Sequence, residues 1–447
     1  MPDLLHGLML MDIKEYYRTP DVRSRLIEFL GGPTLEEATC YYVGRPRDTI
    51  KPGFNMVRPG ELDSFLVNEW DVARSLWDRE WFLVDLDIEY TNFDFPAEPF
   101  LDHQRTFALQ QPVFFSVQRI LSAVGIKPLH AISGRGHHFV WKVSFTSPAF
   151  EQMVQIGRLT PALESTYTSR QPPDNMPVGL RLGKAFSGLG LVMEYMAHRI
   201  VSESQEECPI PIYPEAVDMG PQQRGKEMIS IDISEYGDPL HTRGMRMPFS
   251  IYIKPWQYVH MLTPQIAGRI PVMVMVPRDD LSIEQATAAM RDLGKAAELA
   301  SGTSCLIPDC SRGMDGLVSL YLHSDLREFH DGYYSEEHDP VEQWPSTYDR
   351  TPTWRFPPYI RYILEHPNDS LLNPGPVRQL IAFLLKEGWH PRHIAGLIRS
   401  KYERDYGWLN QWYVYDAGMR ADYHTRVMAG LMKLGLDRLA DLPAEVH

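Results

Sequence analysis

Cysteine is scarce in this sequence, which has only four in 447 residues. They are Cys40, Cys208, Cys305 and Cys310. So few cysteines at such wide spacing argue against a disulfide framework and favour a reducing compartment. Cys305 and Cys310 suggest half of a zinc site, with His323 or His330 as partners. No second cysteine pair follows, so free or packed thiols are the preferred interpretation.

Long apolar runs are also absent. No stretch approaches the roughly 18 apolar residues that a membrane-spanning helix needs. The amino-terminal stretch MPDLLHGLMLMDIKEYY has acids where a signal peptide has its basic end. We therefore expect a cytoplasmic protein, associated with the nucleoid if it is bacterial, with no membrane partner.

The chain has no excess of positive charge. Its 44 Lys and Arg residues face 58 Asp and Glu residues, which gives a formal charge of −14. This balance argues against a protein that coats nucleic acid, but an acidic enzyme can still have a basic cleft.

Two motifs are absent as well, the GxxxxGK[ST] phosphate loop and the GxS nucleophile elbow, so P-loop ATP hydrolysis and acyl transfer lose support.

A strand-like stretch, WFLVDLDIEY at 81–90, carries three acids. Side chains alternate along a strand, so Asp85, Asp87 and Glu89 share one face, opposite an apolar face. Like charges on one sheet face repel each other unless a cation sits among them, and divalent cations are the usual answer. The generic alternative is a solvated acidic face.

A second stretch, AISGRGHHFVWKVSF at 131–145, begins with a glycine-rich turn. Gly134 and Gly136 permit a tight turn, and the strand that follows puts His138 and Lys142 on the face opposite His137. Backbone N–H groups beside Arg135 and His138 suit a polyphosphate. The alternative is an ordinary hairpin.

A third stretch, MISIDIS at 228–234, alternates isoleucine with small or acidic residues and leaves Asp232 alone on its polar face. A basic run follows, with Arg243, Arg246 and Lys254, which suits the charge of a nucleotide or a template backbone. The alternatives are a basic surface turn and, for the third acid, Asp238 in its Gly-Asp-Pro turn.

Taken together, two carboxylates at i and i+2 and a third from another strand suit two divalent ions about 4 Å apart, as in phosphoryl transfer. The ordered set resembles the archaeo-eukaryotic primase superfamily, which includes the small catalytic subunit of replicative primases and the bacterial primase-polymerases. The resemblance lies in VDLD at 84–87, SGRGHH at 133–138, SID at 230–232 and RMPFS at 246–250.

The resemblance implies a role for each matching position. Its metal-binding and catalytic acids are Asp85, Asp87 and Asp232, holding two Mg²⁺ or Mn²⁺ ions. Its nucleotide contacts are Ser133, Arg135, His138 and Arg246. Family members often have a histidine where this chain has Tyr252, which donates a hydrogen bond but brings no positive charge.

A weaker resemblance concerns the carboxy-terminal part. FPPYIRYILEH at 356–366 and YDAGMRADYHTRVMAGL at 415–431 are similar to the helical domain of the primase large subunit. That domain holds an iron–sulfur cluster on four cysteines. Tyr359 stands at the first cysteine position and no cysteine follows Cys310, so we expect no iron–sulfur cluster.

The predicted fold class is α/β (α+β): a primase-type catalytic core with an RRM-like sheet, followed by an all-helical domain. We expect a catalytic domain over 1–275 with a helical amino-terminal segment, a helix and irregular linker over 276–350, and a helical domain over 351–447 that assists initiation.

The function that follows is a DNA primase or polymerase, a nucleotidyltransferase that makes or extends primers. The partners are a single-stranded DNA template, nucleoside triphosphates and a separate helicase. Two alternatives stay open: a repair polymerase that only extends existing ends, and a non-catalytic nucleic-acid-binding subunit. A metal-dependent nuclease is a further alternative, but it has no need of a triphosphate cradle.

Overall fold

The structure is a computed structural model of the chain. It describes residues 12–46, 54–92, 94–214, 227–233, 236, 240, 244–257, 262–366, 374–402 and 417–437. The fold is mixed α/β, and the contacts between Cα atoms divide it into two units. The larger unit comprises Met1–Met193 and Glu203–Val318, and the smaller unit Glu194–Ser202 and Ser319–His447. None of the described helices has the length and apolar composition needed to cross a membrane.

The larger unit contains the strands. In chain order they are β1 (Val43–Pro46), β2 (Phe54–Val57), β3 (Ala73–Arg74), β4 (Trp81–Asn92), β5 (Leu129–Ile132), β6 (Gly136–Ser144), β7 (Ile212–Tyr213), β8 (Glu227–Asp232), β9 (Met245–Arg246) and β10 (Val276–Pro277). Four of them form a small sheet in the order β2-β1-β3-β9. The other six form the main sheet, in the order β10-β5-β6-β4-β8-β7. Its pairs are antiparallel except β7 with β8.

The long central strand β4 explains the position of the acids. It pairs with β6 on one side and β8 on the other, and it is buried on both faces. Phe82, Val84, Leu86 and Ile88 have no exposed side-chain surface and form the apolar face that the alternation predicts. The strands predicted near 81–88, 139–145 and 228–234 are confirmed.

The larger unit also contains helices. They are α1 (Ile13–Arg18), α2 (Pro20–Phe29), α3 (Leu62–Leu66), α4 (Glu98–Leu101), α5 (His103–Ala123), α6 (Pro148–Ile156), α7 (Pro161–Thr168), α8 (Leu180–Ser204), α9 (Lys254–Gln257), α10 (Pro264–Ala267), α11 (Ile283–Met290), α12 (Leu293–Gly302) and α13 (Ser311–Leu322). Residues 194–202 of α8 and the last residues of α13 count with the smaller unit. The predicted helical amino-terminal segment is confirmed as two helices, with the break at Pro20, which lacks the N–H that would continue the first helix.

One local prediction is wrong. The irregular linker expected within 276–350 contains α13 and α14 (Asp325–Tyr333). Met314, Leu317, Val318 and Tyr321 recur at helical spacing and are fully buried, a signal that the many polar residues of this region obscured. The apolar run at 272–276 is buried, yet only its last residue belongs to β10, because an apolar run specifies burial more strongly than ladder pairing.

The smaller unit is helical in its described residues. Besides α14 it contains α15 (Pro358–Glu365), α16 (Pro374–Lys386), α17 (Pro391–Tyr402) and α18 (Ala417–Lys433). Its interior includes an ionic cluster. Glu194, without exposed surface, accepts from Arg426 Nε at 2.8 Å and lies 3.1 Å from His330 Nε2. Such a buried carboxylate is tolerated because both of its oxygens are paired.

Candidate functional site

A row of polar side chains crosses the middle of the main sheet. Asp87 on β4 lies directly opposite His138 on β6 and directly opposite Asp232 on β8. Residues paired in this way project from the same face with Cβ atoms about 5 Å apart. Asp85 and Glu89 share that face by alternation, and the acids are 4 to 7% exposed. The sheet therefore brings all three predicted metal ligands and the predicted histidine together in a buried row.

His138 faces two of these acids. Its Nδ1 lies 3.5 Å from Asp85 Oδ1 and its Nε2 lies 3.6 Å from Asp87 Oδ1. These are ion-pair distances, longer than hydrogen bonds, and neither carboxylate oxygen accepts a hydrogen bond from any described residue. Two buried anionic oxygens without donors are costly unless a cation lies near them.

The charges around His138 favour its protonated form, so His138 itself can be that cation. Burial alone lowers the pKa of His138, but Asp87 and Asp85 outweigh burial and raise the pKa to about 9. Burial raises the pKa of Asp87 to about 7, against the opposing effect of His138. The acids thus stabilise the imidazolium, and its charge offsets theirs.

The neighbouring histidine lies on the opposite face. His137 packs against Phe107 and Phe114, and its Nδ1 is 3.0 Å from His130 Nε2. Burial lowers the pKa of His137 to about 3, which keeps the ring neutral. His137 is therefore a core residue, and His138 is the histidine that meets the acids.

Glu89 has two cationic partners. Its Oε2 accepts from Arg135 Nη2 and its Oε1 accepts from Lys254 Nζ at 2.6 Å. Burial raises the pKa of Glu89, but Arg135 and Lys254 reverse that effect and hold the pKa well below its usual range. Burial lowers the pKa of Lys254, and nearby Arg135 adds to this. The sequence pattern put Glu89 in the row of acids and Lys254 in the basic run, but it did not predict that the two residues pair with each other.

The glycine-rich turn is a two-residue hairpin between β5 and β6, closed by Ser133 N–H donating to Gly136 O at 2.9 Å. Gly136 is needed for close approach, since a Cβ there would lie 1.8 Å from Ile88 O on β4. Gly134 leaves room for the Tyr252 ring, since a Cβ there would lie 2.7 Å from Tyr252 Cε1. Ser133 is fully buried, and its Oγ has no hydrogen-bond partner among the described residues.

The basic segment lies beside this turn, since Tyr252 packs against Gly134. Arg246 Nη1 donates to Asp71 Oδ2 at 2.6 Å, and the guanidinium lies 4.9 Å from the Tyr252 ring centre. Phe249 has a φ of 65°, a strained value for a bulky side chain. Its carbonyl accepts from Tyr16 on α1 at 3.0 Å, which helps to hold this conformation.

One residue outside the predicted motifs fixes Asp85. The Tyr236 hydroxyl donates to Asp85 O at 2.5 Å and accepts from Asp85 N–H at 3.0 Å. This satisfies the strand backbone just past the point where β8 ends, at Asp232. Asp238, the rival third acid, and Arg243 lie outside the described residues.

The donor set suits hard divalent cations, since carboxylate oxygens are their preferred ligands. Asp85 and Asp87 each offer a buried oxygen without a hydrogen bond, and Asp232 faces Asp87. Within the described ranges, no three Asp, Glu, His or Cys side chains are grouped as ligands of one ion.

The cysteine pair has a packing role. Cys305 and Cys310 are both buried, and burial raises the pKa of each thiol. Cys310 Sγ donates to Lys127 O at 3.6 Å. A zinc site on these thiols has no third ligand among the residues that the structure describes.

Comparison with known proteins gives no relative: no protein-family model, no curated protein and no solved structure matches this chain. The motifs and the geometry of the main sheet are therefore the features that bear on its function.

Proposed function

We propose that the chain is a DNA-dependent primase or polymerase that joins nucleotides by metal-assisted nucleotidyl transfer. The observation that carries the proposal is the buried row in which Asp87 lies between Asp232 and His138, with oxygens of Asp85 and Asp87 that accept no hydrogen bond from described residues. A solvated acidic face, the generic alternative, does not fit acids that are 4 to 7% exposed.

In this proposal the fold is a primase-type core, and the main sheet is its RRM-like sheet. The 3′-hydroxyl of a primer end gives its proton to water as its oxygen bonds to the α-phosphorus of a nucleoside triphosphate, and the bond to the β-phosphate oxygen breaks to release pyrophosphate. Mg²⁺ or Mn²⁺, when bound, lowers the pKa of the attacking hydroxyl and offsets charge on the pyrophosphate.

The side chains of the site divide this work. Asp85, Asp87 and Asp232 hold the ions. His138 balances the charge of the acids when no ion is bound and donates to phosphate when one is. Ser133, Arg135 and Arg246 lie on the nucleotide side, by the resemblance in sequence. The template is single-stranded DNA, and unwinding is left to a separate helicase.

The smaller unit is proposed to assist initiation. Its described residues are helical, and no cysteine of the chain lies after Cys310. The unit therefore works without an iron–sulfur cluster, because such clusters need thiolate ligands.

The decisive test is synthesis on single-stranded DNA with labelled nucleotides and Mg²⁺ or Mn²⁺, with and without an annealed primer. We expect product from the wild-type chain and none from Asp85→Ala/Asp87→Ala, because the variant loses two of three metal ligands. Product without a primer identifies a primase, and product only with a primer identifies an extending polymerase.

The matched control is Asp280→Asn, which removes an exposed carboxylate from the larger unit. It should leave synthesis unchanged. Full synthesis by the double variant overturns the site assignment. No synthesis by the wild-type chain favours the non-catalytic binding subunit.

Thermal unfolding separates a polymerase from a nuclease. We expect a nucleoside triphosphate to raise the melting temperature only when Mg²⁺ or Mn²⁺ is present, because the row of acids repels an uncomplexed triphosphate. At about 100 times Kd the stabilisation is about 2.7 kcal/mol. Stabilisation by the metal ion with no further effect of nucleotide would favour the nuclease.

A further inference from the structure

The chain is strained in the turn at 247–252, which follows the basic strand β9. Phe249 in this turn has a φ of 65°, which a residue with a bulky side chain adopts only at an energetic cost. Such a conformation persists only where the surrounding structure enforces it, and such residues cluster at ligand-binding sites. The 247–252 turn therefore depends on contacts from neighbouring elements.

The amino-terminal helix α1 supplies two of these contacts. The Tyr16 hydroxyl donates to Phe249 O at 3.0 Å, directly at the strained residue. The Tyr17 hydroxyl accepts from Ile251 N–H at 3.0 Å and donates to Trp70 O at 2.8 Å. Both tyrosines are at most 3% exposed, so water does not readily replace either hydroxyl. Burial also raises the pKa of both hydroxyls, which keeps them protonated.

The chain around Trp70 holds the same turn from another side. Ser250 Oγ accepts from Val72 N–H at 2.7 Å, and Met247 N–H donates to Val72 O at 3.0 Å. Since Tyr17 contacts Trp70 as well as the turn, its hydroxyl joins the two segments. The turn is thus fixed both by α1 and by the segment that α1 itself holds.

Two side chains of the proposed site lie at the ends of the turn. Arg246 precedes the turn, and its Nη1 donates to Ile251 O at 3.2 Å as well as to Asp71 Oδ2 at 2.6 Å. Tyr252 ends the turn, and its ring packs against Gly134 in the glycine-rich turn. The Arg246 guanidinium lies 4.9 Å from the centre of the Tyr252 ring. The conformation of the turn therefore sets where both side chains lie.

We propose that Tyr16 and Tyr17 are positioning residues that hold the 247–252 turn. Through this turn they fix Arg246 and Tyr252 on the nucleotide side of the site. This inference rests on the function proposed above. It adds helix α1 to the support of the site, across 233 and 234 positions of the chain.

The first test is nucleotide incorporation on a primed template at varied nucleotide concentration. Tyr16→Phe and Tyr17→Phe each delete a hydroxyl and keep the ring. We expect both variants to raise the KM for nucleotide by about threefold to tenfold, because each loses a hydrogen bond that holds the turn. The fall in kcat should be much smaller, because the metal-binding acids stay in place.

The matched control is Tyr333→Phe. It also removes a buried hydroxyl, which donates to Asp422 O at 3.1 Å in the smaller unit. On a primed template it should leave KM unchanged, whatever its effect on stability. A rise in KM as large in the control as in the α1 variants would overturn the positioning role, because loss of stability alone would then explain it.

Hydrogen exchange tests the contact itself, without need of activity. Ile251 N–H donates to the Tyr17 hydroxyl, so Tyr17→Phe should speed the exchange of this amide about tenfold. Exchange in the central strand β4 should not change. Unchanged exchange at Ile251 would overturn the proposed contact, and faster exchange with an unchanged KM would overturn the positioning role.

Equilibrium binding of ATP and dATP with Mg²⁺, measured by calorimetry, separates this inference from the proposed function. Synthesis by the wild-type chain with an unchanged KM in both α1 variants overturns the inference alone. Nucleotide binding that both variants weaken, without synthesis by the wild-type chain, overturns the proposed function and leaves the positioning role standing. Without synthesis, either no nucleotide binding by the wild-type chain or binding that neither variant weakens overturns both.

Discussion

At the scale of single residues, His138 has the most demanding surroundings. It lies within 3.6 Å of oxygens from both Asp85 and Asp87, and all three side chains are at most 10% exposed. A buried carboxylate without a counter-charge is strongly destabilising, so the folded state of the larger unit depends on a cation at this point. In the structure that cation is a histidine, and in the proposed enzyme a metal ion takes over the role.

We expect His138→Ala to lower the free energy of unfolding by about 3 kcal/mol, because it leaves the two acids uncompensated. Mn²⁺ should recover much of this loss, and by more than it stabilises the wild-type chain. Chemical unfolding with and without Mn²⁺ measures both effects. His323→Ala removes an exposed histidine and should change the stability by less than about 0.5 kcal/mol. A His138→Ala protein as stable as wild type would contradict this electrostatic account.

At the scale of elements, the β5–β6 hairpin shows why a motif residue is needed. The glycines suggest conformational freedom, yet neither Gly134 nor Gly136 has a positive φ. What Gly136 provides is space, because the backbone of β4 at Ile88 fills the place of a Cβ. The pairing of β6 with β4, and with it the alignment of His138 with Asp87, depends on this close approach.

Gly136→Ala should therefore lower the stability by about 3 kcal/mol or more, since its Cβ would force the two strands apart. Gly60→Ala is the matched control, because no atom lies within 4 Å of the added Cβ and its φ is not positive. Thermal unfolding of both variants compares them directly. Equal melting temperatures would mean that β6 accommodates the side chain without separating from β4.

At the scale of the whole molecule, each unit buries titratable groups. The free energy of unfolding should therefore depend on pH. In the smaller unit His198 is buried beside Glu194, His330 and Arg426. Burial lowers the pKa of His198 to about 4 from an ordinary 6.5, and neither ring nitrogen has a hydrogen-bond partner in the described part of the chain. The folded state keeps this ring neutral while the unfolded state takes up a proton.

The free energy of unfolding should consequently fall as the pH drops below about 6.5, by up to about 1.4 kcal/mol per pH unit from this group. His198→Leu removes the share of this group and should make the fall between pH 6.5 and 5 less steep, while His130, His137 and His330, whose pKa values are also lowered by burial, keep their own shares. Glu194 does not interfere, because its pKa is held below the usual range and its contribution is lost only at lower pH. Unfolding at a series of pH values measures the difference, and parallel curves for the two proteins would contradict it.

Much of the fold was predictable because its signals are local. Alternation in WFLVDLDIEY marks β4, and the glycine-rich turn marks the start of β6. Apolar spacing around Met314 and Leu317 marked a helix too, but it was missed among polar neighbours. The sheet order β10-β5-β6-β4-β8-β7 was not predictable, because pairing between strands far apart in the chain leaves no local pattern.

The sequence by itself determined which side chains can share a face, since alternation along a strand is a local property of the backbone. It therefore put Asp85, Asp87 and Glu89 on one side, and His138 opposite His137. Only the tertiary structure decided what each of them meets. The register of β4 with β6 and β8 joins Asp87 to His138 and Asp232, and the chain path after β9 brings Lys254 to Glu89, because these contacts link residues up to 165 positions apart.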